Sequence, residues 1–101
     1  MGLDKEYLLS WVRSYLLDLP IIEARIFGSV VDPNVQNPND IDLFIKYDVT
    51  HIREIAEQKS QLIQSFNLEF SLNLHLLILS ENEVIEFQDF ISNAMENSWL
   101  V

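Results

Sequence analysis

The chain has 101 residues, which suits one small domain, and its 49% hydrophobic and 11% aromatic content is enough to build a buried core. Sixteen acidic residues against six basic ones give a net charge of −10, which argues against binding duplex nucleic acid or an anionic membrane surface. There is no cysteine, so disulfides and thiolate metal sites are excluded, and no apolar run approaches the roughly 20 residues of a membrane span. The start, MGLDKEYLL, has no basic leader, and the expectation is an acidic cytoplasmic protein with one domain over residues 1–101.

In chain order, residues 4–18 place Leu8, Trp11, Val12, Tyr15 and Leu16 at helical spacing, and Pro20 ends the run. Residues 21–27 read as a strand with Ile22, Ala24 and Ile26 on one face and Glu23, Arg25 and Phe27 on the other. Gly28 breaks it, and after one helical turn the stretch 32–39, with two prolines and three asparagines, is a loop. Residues 40–47 form a second strand, with Asp40, Asp42, Phe44 and Lys46 on one face.

Thr50 is expected to cap a helix over about 51–66, followed by a strand over 68–79 whose polar face carries Glu69, Ser71, Asn73 and His75. Ser80 and Glu83 spell a capping box that opens a last helix with Val84, Phe87, Ile91, Ala94 and Met95 on its apolar side. Trp11, Tyr15, Phe66, Phe87 and Phe90, being at helical spacing, are assigned to the core. Trp99, Leu100 and Val101 are a candidate contact for a dimer or another partner. The order predicts an α+β fold, a small mixed sheet covered by helices.

Two elements carry chemistry. Gly28, one of only two glycines, follows a strand and precedes Ser29, where a tight turn brings backbone N–H groups close to a ligand such as phosphate. Asp40 and Asp42 project from one strand face, about 7 Å apart along the chain. There both carboxylates can converge on Mg²⁺, which would remove the repulsion of two like charges on a strand. A solvated strand face with a loop-ending aspartate is the plainer alternative for the doublet alone.

Ten residues separate Ser29 from Asp40 in GSVVDPNVQNPNDID. This resembles the Gly-Ser, ten-residue gap, Asp-x-Asp signature of the DNA polymerase β-like nucleotidyltransferases. In size the chain is similar to their minimal stand-alone members, which are often encoded beside a helical HEPN protein in toxin–antitoxin pairs. The resemblance implies a nucleotidyltransferase or palm-like fold and transfer of a nucleoside monophosphate from an NTP, ATP first among them, to a hydroxyl on a partner protein or small molecule. It also implies a HEPN-type helical partner or a homodimer, and a role as an antitoxin. By the same likeness Gly28 and Ser29 would hold the triphosphate, and Asp40 and Asp42 the Mg²⁺. Family members commonly add a third carboxylate on a later strand. Glu69 is the only acid on the predicted strand 68–79, and His75 lies nearest the expected place, so both join Asp40 and Asp42 as catalytic candidates. Val31, Asp32 and Pro33 stand where the family usually has small and basic residues. This departure points to the alternative function, a catalytically inactive antitoxin or regulatory subunit acting by protein contact.

Overall fold

A computed structural model describes residues 3–101, so Met1 and Gly2, where a leader would begin, lie outside the described residues. Eight elements follow in chain order: α1 (Lys5–Leu16), β1 (Ile21–Phe27), β2 (Asp40–Tyr47), α2 (Ile52–Phe70), β3 (Asn73–Ser80), α3 (Glu81–Glu86), α4 (Gln88–Ala94) and β4 (Trp99–Leu100). Short 3-10 turns, Gly28–Val31 and Val49–His51, precede the loop before β2 and the start of α2. The fold is α+β, with a four-stranded mixed sheet in the order β3-β2-β1-β4. β1 runs antiparallel to β2 and β4, and β2 runs parallel to β3, with α2 as the crossover.

The alternation of β2 sorts its side chains between two layers. Ile41, Leu43 and Ile45 are buried with Leu8 and Val12 of α1 and Leu62 and Phe66 of α2. Each such buried aliphatic side chain contributes on the order of 1.5–3 kcal/mol relative to exposure. Asp40, Asp42, Phe44 and Lys46 take the opposite face, where Phe44 is buried and α3 packs against β2 and β3. Asp4 starts α1 by accepting hydrogen bonds from the Glu6 and Tyr7 amides. The capping box of Ser80 and Glu83 is formed in full, and it turns the buried end of β3 directly into α3.

Several sequence expectations are corrected. Both β1 and β2 have their expected bounds, but the ladder slips between Ile21 and Glu23. Ile22 is therefore bulged out and half exposed, and Ile21 packs against the core instead. Asp48, not Thr50, initiates the turn before α2, accepting from the Thr50 amide and hydroxyl.

Helix α2 runs four residues past the expected 66, because Phe66 and Phe70, one turn apart, both pack against Trp11. It ends at Ser71, whose φ of 56° is left-handed and whose amide bonds the Asn67 carbonyl. Glu69 thus sits on a helix, not on a strand, and Leu68, which matched the strand alternation, is 85% exposed.

The last helix is split at Phe87, and Phe87 and Phe90 are exposed, outside the core. Phe66 is in the core as expected, with Trp11 and Tyr15 partly buried against it, and these three pack as an aromatic cluster joined by Phe70. The chain end is also used differently. Trp99 and Leu100 pair with Ile26 and Arg25, and Trp99 and Val101 pack against the core. Only Leu100 of the three remains largely exposed.

Candidate functional site

The antiparallel register of β1 and β2 pairs Phe27 with Asp42, so the chain leaves β1 directly beside that carboxylate. Gly28 occupies φ +83°, a conformation that side-chain-bearing residues rarely adopt. A Cβ at this position would overlap Asp42 Oδ2 and lie 3.1 Å from Asp42 Cγ. Glycine is therefore required twice, for the backbone angle and for room beside the carboxylate. Ser29 is exposed in the 3-10 turn that Gly28 opens, and its carbonyl accepts from the Asp32 amide at 3.2 Å.

The parallel register of β2 and β3 completes the group. Asp40 stands opposite Asn73, and Asp42 opposite His75. The Asn73 side-chain amide donates to Asp40 Oδ1 at 3.3 Å. The His75 ring lies between the carboxylates, with Nδ1 3.6 Å from Asp42 Oδ1 and Nε2 3.9 Å from Asp40 Oδ1. Asp40, Asp42 and His75 are all partly or largely solvent-accessible, His75 most of the three. Four of the expected site residues are gathered at one end of the sheet: Gly28, Asp40, Asp42 and His75, with Ser29 on the adjoining turn.

Glu69 is not part of this group. It lies on the last turn of α2 and takes a hydrogen bond from the Tyr7 hydroxyl of α1. That bond holds the phenolic proton and raises the Tyr7 pKa, with desolvation and the nearby Glu69 charge adding to the shift. Glu69 works as a helix–helix tie.

The basic residues near the site are also committed. Glu23 binds Arg25 Nε at 2.6 Å and approaches Lys46 Nζ at 3.6 Å, and Arg25 further donates to Ser98 Oγ at 3.3 Å. The Arg25 hydrogen bond is the main reason that the Glu23 pKa is lowered, against a smaller opposing contribution from burial.

Two depressions flank the group. One of about 630 Å³ lies between the Gly28 turn and the end of α4, with Asp32, Pro33, Asn93 and Asn97 among its walls. No local pattern announces it, since Asn93 of α4 and Gly28 are 65 positions apart. The Asp32 carboxylate is anchored there by the Asn34 amide, at 2.9 Å. The second, of about 680 Å³, lies between α2 and β3 and reaches Asn73 and His75.

Among the described residues, no group of three or more His, Cys, Asp or Glu side chains is placed to hold a metal ion alone. His75 sits against the doublet as a close polar neighbour, 3.6 and 3.9 Å away, and not as a third arm of a cage. Among the described residues, this site therefore offers the two carboxylates of Asp40 and Asp42. That donor set fits Mg²⁺, which keeps several water or phosphate oxygens in its octahedron and needs few protein ligands. No family profile, no curated protein and no solved structure matches the chain.

Proposed function

We propose that the chain is a nucleotidyltransferase-like domain that binds an NTP with Mg²⁺ and transfers its nucleoside monophosphate to a hydroxyl acceptor. The observation that supports this reading best is the contact of Gly28 with the Asp42 carboxylate. It sets a close-approach turn and an acid doublet side by side, although ten residues intervene between Ser29 and Asp40. In this reading Asp40 and Asp42 hold Mg²⁺, which neutralises charge on the triphosphate when bound. Gly28 and Ser29 approach the phosphates through backbone N–H groups and the Ser29 hydroxyl. The acceptor oxygen forms a bond to the α-phosphorus, the bond to pyrophosphate breaks, and the acceptor proton passes to a ring nitrogen of His75. An imidazole with an unprotonated ring nitrogen can accept that proton.

Titration calorimetry with ATP and Mg²⁺ tests the binding step, with Asp42→Asn as control. Micromolar to millimolar binding by the wild type, lost in the variant, is the expected result; no heat from the wild type at millimolar nucleotide overturns the proposal.

Two observations favour a second reading. Asp32 shares the depression beside Gly28, where its negative charge opposes a triphosphate, and the nearby cations Arg25 and Lys46 are held by Glu23. A catalytically inactive domain of the same fold, acting as an antitoxin or regulatory subunit by protein contact, accommodates both facts. Transfer of label from α-labelled ATP to an acceptor, abolished by Asp40→Asn, separates the two readings in favour of catalysis.

A further inference from the structure

The sheet ends on β3, and this edge is open. All eight residues of β3 pair with β2 on one side. Among the described residues, no backbone hydrogen bond outside that ladder involves residues 74–79. Edge strands are normally guarded against further pairing by a charge, a proline, a bulge or short length. The opposite edge follows this rule, since β4 is only two residues long. β3 does not: its sequence, NLHLLILS, has eight residues with no Lys, Arg, Asp, Glu or Pro, and its register is unbroken.

The open edge is bordered by the depression of about 680 Å³ between β3 and the C-terminal half of α2, lined by Ile63, Asn67, Leu68, Leu74 and His75. Leu68 offers its side chain there almost entirely to solvent. A strand laid about 4.8 Å beyond β3 would satisfy the free backbone groups and set alternate side chains over this depression.

Charge selects the occupant. Residues 60–101 contain no lysine or arginine and six acids: Glu69, Glu81, Glu83, Glu86, Asp89 and Glu96. Glu69, held by the Tyr7 hydroxyl, lies at the end of α2 just before β3, and Glu81 and Glu83, the latter held by the Ser80 amide, open α3 just after it, so acids flank the strand on both sides in the chain. Two copies joined edge to edge would bring these acids together between chains of net charge −10 each. A basic strand meets the same ends with attraction.

We propose that the outer edge of β3 docks an extended, basic segment of another protein as a fifth strand of the sheet. This rests on the open edge and its charge, and holds whether or not the Asp40–Asp42 site is catalytic.

The probe is a dye-labelled eight-residue peptide alternating lysine with valine, followed by fluorescence anisotropy and by amide hydrogen exchange of the full chain. The expected result is saturable binding with slowed exchange within residues 74–79. Methylating alternate peptide nitrogens, or replacing lysine by glutamate, should each weaken binding by about tenfold or more, the effect of roughly 1.4 kcal/mol. Leu68→Lys should weaken it similarly, whereas Asp18→Asn, just past the end of α1 on the β4 side of the sheet, should leave it unchanged. Equal binding of the methylated peptide, equal loss in the Asp18 variant, or no protection within residues 74–79 would each overturn the proposal. So would concentration-dependent dimerisation of the chain alone that protects the same amides, because a second copy would then cover the edge.

Discussion

Gly28 and Asp42 fit against one another so closely that the glycine has no room for a side chain: the space of a Cβ is taken by the aspartate carboxylate. The relationship comes from the β1–β2 register, which pairs Phe27 with Asp42 and sends the chain into a left-handed angle at the next residue. Gly28→Ala should therefore destabilise the fold by roughly 1–3 kcal/mol, through backbone strain and the clash together. Urea denaturation checks this. The double variant Gly28→Ala/Asp42→Ala should lose less than the sum of the two single variants, because the clash is absent once the carboxylate is gone.

Glu69 and His75 are expected to separate cleanly. Glu69→Ala removes the acceptor of the Tyr7 hydroxyl, so it should lower the melting temperature slightly and leave binding of ATP with Mg²⁺ unchanged. His75→Ala should leave nucleotide affinity within about threefold yet sharply reduce label transfer, as fits a group used for proton removal and not for ground-state binding. Calorimetry and a transfer assay on both variants read these outcomes.

The Glu23 cluster predicts a specific acid sensitivity. Because Arg25, and more weakly Lys46, lowers the Glu23 pKa, this carboxylate stabilises the fold above its unfolded value of about 4.3 and loses that contribution as pH falls through the folded value. Wild type should thus melt higher than Glu23→Gln at neutral pH. The difference should shrink steadily as the pH drops below about 4.3 and should not change on the alkaline side. Thermal melts of both proteins across this range are the measurement.

Ser80 ends β3 as a buried residue and caps α3, so two elements depend on one hydroxyl. Ser80→Ala should cost about 1–2 kcal/mol, near the upper end for a cap, since the Glu83 amide loses its partner in a largely buried setting. Ser80→Thr keeps the acceptor and should recover most of the loss in urea denaturation.

Strands β1 and β2 were legible because each is a short alternating run closed by a strong signal, Pro20 and Gly28 for one and the polar loop and Asp48 for the other. The capping box was legible for a similar reason: its hydrogen bonds connect residues three apart, so the pattern is wholly local. Residues 66–72 were not. Phe66, Leu68, Phe70 and Leu72 alternate as a strand would, but Phe66 and Phe70 also stand one helical turn apart. Contact with Trp11, more than fifty residues earlier, decided for the helix and carried Glu69 away from the doublet. β4 escaped notice because two residues have no period, and only the free edge of β1 makes them a strand.

By itself, then, the sequence determined the acidity, the strand bearing Asp40 and Asp42, and the single interior glycine, since composition and alternation are properties of neighbours along the chain. Tertiary structure alone decided that Gly28 abuts Asp42, that His75 and not Glu69 stands opposite it, and that β3 lies at an open edge. Each of those is a question of register or strand order, set by pairing between segments distant in the chain and therefore absent from any local pattern.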